Sequence, residues 1–350
     1  MYVKKMRFFL FFLAFVSLCL CACKPKDFSV NAKTEPFTVV YGLLNSNDKV
    51  HYIKIFKSFV VEGNAYDVVK DINMYSYMDS IDVYLNEYNS KNQLYNKFKL
   101  DTTTAIPKDS GLFLYPTQIL YTTNVTLKED YLYEIEIFNP YTKNTVKVKA
   151  PVALAGKVSI NRPPGPDISI TDKSMSFDFF TAKNSNMYQL ILKFYYTERM
   201  MDNTERQPPP VEWVIGSIED NSNNSGIEKK IPVSSGSIFF IKVADAIKSN
   251  ENIRLRHVDS LVLEVHSAAK DWSLYIKSNL PTWGINQEKL HYSNMIAYST
   301  ETGEEKYAMG LFSSRGITTK TYRNLATPGG SLDSLMRGRF TGHLKFTEIY

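Results

Sequence analysis

The chain has 350 residues, 44% hydrophobic and 22% charged, a balance that excludes a disordered polar polymer. Its formal net charge of +5 includes Lys4, Lys5 and Arg7 at the extreme N-terminus, so the remainder is close to neutral and carries no electrostatic footprint for nucleic acid. All three cysteines lie in "SLCLCACKPK", Ser17 to Lys26, so whatever folds beyond them must hold by packing rather than by disulfides.

The N-terminal segment reads as an export signal. Met1 to Arg7 is basic, and Phe8 to Leu20 is apolar with one serine and no charge. That run is shorter than the roughly 20 residues a spanning helix needs. Cys19, Cys21 and Cys23 alternate with other residues at its C-terminal end, a spacing that does not converge on a tetrahedral metal, and no metal site is expected. Leu20-Cys21-Ala22-Cys23 resembles the lipobox at which bacterial lipoprotein signal peptidase cuts before a lipid-modified cysteine. The resemblance implies a signal peptide over 1–22, an acylated, palmitate-bearing Cys23, and a lipidated tether over 23–36 that binds membrane lipid. An ordinary secretory signal, with the thiols as small apolar residues, is the alternative.

Beyond the tether, 23 Tyr and 21 Phe move the balance toward sheet. Phe37 to Leu44 and Val50 to Val61 read as strands around the turn Asn45-Ser46-Asn47-Asp48, with His51, Ile53 and Ile55 alternating against Tyr52, Lys54 and Phe56. Ile81, Val83 and Leu85 alternate with Asp82, Tyr84 and Asn86 in a strand with one buried face. A hairpin turns at Asn139-Pro140. It puts Tyr133, Ile135, Ile137, Val146 and Val148 on one face and sets Glu134 and Glu136 beside Lys147 and Lys149 on the other.

"NRPPGPD", Asn161 to Asp167, reads as a stiff inter-domain turn, after which strand patterns restart at "SMSFDFF" and "MYQLILKFYYTE". "SIFFIKVADAIKSN" and "SAAKDWSLYIKSNL" have helical spacing, and "VDSLVLEVHS" between them alternates as a strand. The expected fold is mainly β: two β-sandwich-like domains, immunoglobulin- or fibronectin-III-like, over 37–155 and 156–350, the second with one or two helices.

Catalytic chemistry finds little support. The five histidines, His51, His257, His266, His291 and His343, make no paired-ligand spacing. A nucleophile elbow and a phosphate loop are both missing, so no catalytic residue, cofactor or enzymatic activity is expected. Aromatic side chains are the better candidates, because they stack on sugar rings and anchor protein partners. Trp283, in the loop-like "LPTWGIN", and Trp213 are the candidate ligand-binding residues, whereas Trp272, on an apolar helical face, reads as core.

Three segments carry a family resemblance: "VVYGLLNSNDKVHYIKIFKSFVVEGNAY", "NSNMYQLILKFYYTE" and "YSNMIAYSTETGEEKYAMGLFSSR". They resemble a β-rich family of Bacteroidetes lipoproteins to which no activity is assigned. The resemblance implies an outer-membrane or cell-surface lipoprotein and transfers no functional residue. Asp-Ser or Asp-Thr followed by an aliphatic residue or Thr resembles the O-glycosylation sequon of exported Bacteroidetes proteins, and it marks Ser80, Thr102, Ser260 and Ser334.

Two functions follow. One is a non-enzymatic envelope lipoprotein that binds an outer-membrane protein as an assembly component. The other is a surface carbohydrate-binding lipoprotein associated with a nutrient transporter, its glycan held by exposed aromatics.

Overall fold

Alternating apolar residues dominate the chain, and strands are what they form. The computed structural model describes residues 36–59, 65–78, 80–111, 113–114, 116–222, 224–279, 291–327 and 330–348. By its contacts the chain divides into Met1–Pro36 and Phe37–Tyr350. The signal peptide, Cys23 and nearly all of the tether lie outside the described residues.

In chain order, the first strands are β1 (Thr38–Leu44), β2 (His51–Lys57), β3 (Asp82–Tyr88), β4 (Leu94–Lys99), β5 (Asp101–Thr103), β6 (Leu120–Thr123), β7 (Leu132–Asn139), β8 (Asn144–Val148), β9 (Val152–Ala153) and β10 (Ser159–Arg162). Then come β11 (Met175–Phe180), β12 (Met187–Met200), β13 (Glu205–Arg206), β14 (Val211–Glu219), β15 (Glu228–Val233), β16 (Ile253–Ala268), β17 (Met295–Ser299), β18 (Glu305–Lys306) and β19 (Ala308–Tyr322). Among the described residues they form three sheets. The central one has nine strands in the order β13-β12-β16-β19-β1-β2-β6-β5, with β14 also paired to β12. A seven-stranded sheet, β18-β17-β8-β7-β3-β4 with β9 on β7, and a three-stranded sheet, β10-β11-β15, complete the set. The fold is mainly β and sandwich-like, as the alternation and the aromatic content predict.

Two cores form on the central sheet. The first joins Val40, Leu44, Ile53, Ile55 and Phe312 to Val83, Leu85, Tyr133, Ile135 and Val146 of the seven-stranded sheet. The second joins Leu190, Leu192, Phe194, Leu261 and Leu263 to Phe177, Phe179, Ile231 and the helix Ser237–Ala246, whose Phe239, Phe240 and Val243 are buried. Both two-layer packings bury one face of each sheet, which is what the alternation requires.

The buried residues of the second core all lie after residue 155, the expected division, but the first core and the central sheet draw on both sides of that position. Met295, Ala297, Ala308 and Phe312, from the C-terminal part of the chain, pack in the first core, while Tyr322, at the end of the same strand β19, packs in the second. β1 pairs in parallel with β19 from Thr38↔Ala308 to Leu44↔Ser314, so the central sheet crosses the expected boundary. "NRPPGPD" is held onto it: the Pro163 carbonyl accepts hydrogen bonds from Tyr322 Oη at 2.9 Å and Lys320 Nζ at 2.5 Å.

Close approach of β1 and β19 demands glycine. Gly42 has no side chain because a Cβ there would lie 2.9 Å from the Phe312 ring, and Gly310, at φ +121°, would place one 1.9 Å from the Val40 carbonyl oxygen. The β7–β8 hairpin turns on Asn139, whose Oδ1 accepts from the Tyr141 and Thr142 amides at 3.0 and 3.2 Å. Glu136 pairs with Lys147 in register. Glu134 instead meets Asn86 and Tyr88 of β3, at 3.2 and 2.9 Å, because β8 has ended its pairing before reaching it.

Candidate ligand-binding cleft

On β1, Val40 and Leu44 enter the core, so Tyr41 and Leu43 face away from it; on β2, Ile53 and Ile55 enter, leaving Tyr52, Lys54 and Phe56 on the other side. That outer face is rich in aromatics rather than uniformly polar. Two elements cover its flanks and leave a cleft centred on Tyr41.

The first flank is the helix Lys270–Asn279, which follows directly from β16. Helix N-termini leave backbone amides unsatisfied. Here the Ala269 amide donates to the Ser314 carbonyl at 3.1 Å and the Trp272 amide to Ser313 Oγ at 3.2 Å. Asp271 in the first turn suits the helix dipole and accepts from Tyr292 Oη at 2.6 Å and Asn294 Nδ2 at 3.1 Å. Asn294 also completes the backbone of Phe312, donating to its carbonyl at 2.7 Å and accepting from its amide at 3.0 Å. The helix therefore has a fixed place on β19. It presents Trp272 and Tyr275, stacked with ring centroids 5.6 Å apart, and Tyr275 meets Tyr41 edge to face at 6.1 Å.

The second flank is the short helix Ile72–Tyr75, capped by Asp71, with the loop before β6. Tyr75 and Phe113 pack edge to face at 5.1 Å. Lys108 Nζ lies 5.2 Å from the Phe113 ring centroid, and Lys54 Nζ donates to Gln118 Oε1 at 2.9 Å.

Tyr41 divides the cleft into two lobes. A slot of about 220 Å³ lies between Tyr41, Phe56, Tyr75, Phe113 and Ile119, with Lys54 and Lys108 among its walls. A more open lobe of about 420 Å³ is bounded by Tyr52, Trp272, Tyr275, Asp48, His51 and Arg315. Burial and a hydrogen bond with Tyr275 push the Tyr41 phenol up to about 12, so it stays a neutral donor. Burial lowers the Lys54 ammonium, and Lys108 nearby lowers it further. Burial also lowers His51, against the bond its Nε2 makes with the Val125 carbonyl at 3.0 Å. Arg315 Nε is buried without a hydrogen-bond partner among the described residues.

Trp213, a candidate binding residue from sequence, is 4% exposed and packs against Phe177 and Phe239 at centroid distances of 6.0 and 6.1 Å. It is a core residue, because β14 turns it toward the three-stranded sheet. Trp283 lies outside the described residues. Trp272, read as core, is half-buried on the cleft wall instead. The overlooked signal is in β1 and β2, where large apolar side chains occupy both alternating sets, Val40, Leu44, Ile53 and Ile55 on one face and Tyr41, Leu43, Tyr52 and Phe56 on the other; a strand with two apolar faces is covered on both sides. Of the four sequon hydroxyls only Thr102 belongs to an exposed residue, while Ser80 Oγ donates inward to the Tyr77 carbonyl. Among the described residues there is no group of metal-ligating side chains, and no helix is long and apolar enough to cross a membrane.

No family model and no curated protein matches the chain. Among solved structures, the C-terminal globular domain of an oligosaccharyltransferase from Pyrococcus abyssi aligns with 66% of this chain and 47% of its own, at 11% identity and a TM-score of 0.26. The chain thus spans about half the length of that domain. CBD12 from CALX1.2 aligns over 79% of this chain and 98% of its own, at 11% identity and a TM-score of 0.14. Likenesses this distant carry no functional argument.

Proposed function

We propose that the protein is a non-enzymatic binding component of a bacterial envelope, anchored to the outer membrane by an acylated Cys23, and that it holds a protein partner in the cleft over Tyr41. The observation that carries this reading is the bracketing of Tyr41 by Phe56, Tyr275 and Trp272 on a concave surface with few polar groups. Tyr, Trp and Arg are the residues that dominate interface energetics, and such a surface is where ligands bind. Two of the segments behind the Bacteroidetes resemblance supply it. "YGLLNSND" contributes Tyr41 and Asp48, "FSSR" contributes Arg315, and "YSNM" pins the Trp272 helix through Tyr292 and Asn294.

A second reading, surface carbohydrate binding, is favoured by one feature. Tyr52, 42% exposed, stands with Trp272 and Tyr275 around Arg315 and Asp48, which combines stacking faces with charged hydrogen-bonding groups.

Affinity purification from mild detergent, followed by mass spectrometry, tests the first reading. Wild-type protein should bring down a membrane protein that Tyr275→Ala and Arg315→Ala fail to retain. Undiminished capture by both variants would sink the assignment of the cleft. Binding on a glycan array, lost in Trp272→Ala, would transfer the site to carbohydrate. The mature N-terminus should be Cys23 with added acyl mass.

A further inference from the structure

We infer that the slot between Tyr41 and Tyr75 binds a carboxylate carried on an apolar body, with the acid group between Lys54 and Lys108 and the body among Phe56, Tyr75 and Phe113. The inference rests on the reading of the cleft as a binding site and adds a ligand class to one lobe of it.

Charge and shape both point there. The walls of the slot are mostly apolar: Tyr41, Ile55, Phe56, Tyr75, Phe113 and Ile119. Two cations stand among them, yet no carboxylate lines the slot, and neither lysine forms an ion pair among the described residues. Lys54 reaches only the neutral Gln118 oxygen, and Lys108 the Phe113 carbonyl at 3.3 Å. Two other half-buried lysines of this protein are paired with acids. Lys193 has Glu264 at 3.0 Å and Lys229 has Asp220 at 3.5 Å. Two like charges brought together in an apolar recess repel and lose hydration, and burial with the charge of Lys108 accordingly depresses the Lys54 ammonium. An anion relieves both costs at once, and a charge-assisted hydrogen bond in a partly desolvated site is stronger than one in water. The apolar walls select against a small hydrated anion, because it would leave their surface wet.

A free amphipathic acid and the C-terminal carboxylate of a protein chain ending in an apolar residue share this chemistry. Titration calorimetry on the full mature chain separates them, with octanoate and 3-phenylpropionate as free acids, 1-octanol and 3-phenylpropanol as uncharged controls, and acetyl-Gly-Gly-Phe as free acid and as amide. The acids should bind at least about tenfold tighter than the alcohols, the scale of one charge-assisted bond. Lys54→Met and Lys108→Met should each erase most of that preference while leaving alcohol binding and the melting temperature intact or raised, since methionine keeps the packing of the stem. Competition between the peptide acid and octanoate assigns the slot to a chain terminus; octanoate binding without peptide binding assigns it to a free acid. Equal affinity for acid and alcohol, or no binding of any acid, overturns the inference. If partner capture still depends on Tyr275 in that event, only the ligand class has failed and the proposed function stands.

Discussion

Tyr292 Oη donates to Asp271 Oδ1 at 2.6 Å, and this contact ties the first turn of the Trp272 helix to the segment leading into β17. Burial and the neighbouring carboxylate hold the phenol well above its ordinary range, so it remains a donor throughout physiological pH. Tyr292→Phe should cost about 1–2 kcal/mol in urea denaturation, the range for a bond to a charged acceptor at a partly solvated site. Asn294→Ala should cost more, about 2–3 kcal/mol, because it also strips the Phe312 amide and carbonyl of their partner. An equal cost for the two would contradict the bridging role of Asn294.

Arg256 is 2% exposed and reaches Glu198 at 2.8 Å, the Leu344 carbonyl at 2.6 Å and the Lys248 carbonyl at 3.1 Å. It joins β16 to β12 and to the 3-10 turn Gly342–Leu344. Arg256→Ala should destabilise by about 3–5 kcal/mol, since it leaves Glu198 buried with one cation fewer. Arg256→Met with Glu198→Leu should recover much of the loss. A double-mutant cycle without coupling would refute the pairing.

His51, 3% exposed, gives stability a pH dependence near neutrality. Its folded pKa lies below the ordinary 6.5, so the unfolded chain takes up a proton first as pH falls. Stability from this group is present above about pH 6.5, is lost progressively below it, and levels off once the folded histidine also protonates. Glu136 and Glu264 are likewise lowered, from 4.5, by hydrogen bonds and neighbouring lysines acting against burial, and their contribution is lost further down in acid. His51→Gln, which keeps a donor toward the Val125 carbonyl, should abolish the higher-pH loss alone in melting curves between pH 7.5 and 5. An unchanged profile would count against it.

Gly42→Ala should destabilise by about 1–3 kcal/mol, because its Cβ must displace the fully buried Phe312 ring. Gly111→Ala, with open space around it, should be close to neutral. Thermal melts of the two variants provide the comparison.

The fold was legible wherever alternation was strict. Tyr133, Ile135 and Ile137 are at most 1% exposed, and the helix at Ser237–Ala246 begins where the spacing puts it. Connectivity was not legible, because periodicity tells which face a residue takes and not which strand lies beside it. That is why β17 and the first half of β19 were expected with the second core. Short helices such as Ile72–Tyr75 were also missed, being a single turn held by a cap and by tertiary contacts. The cleft was hidden for a similar reason. Its residues lie at positions 41, 54, 75, 113, 272 and 315, and it takes the pairing of β1 with β2 on one side and with β19 on the other to bring them together.

β19 also dictates an order of events. Phe312 sits in the first core and Ala308 beside it, so the sandwich begun by β1 stays open until a strand from the last part of the chain has arrived. Contacts between residues more than 250 positions apart are slow to form, and an N-terminal fragment released early has no substitute for them. A chain still lacking β19 therefore cannot close its first core, however complete the rest of that sandwich is.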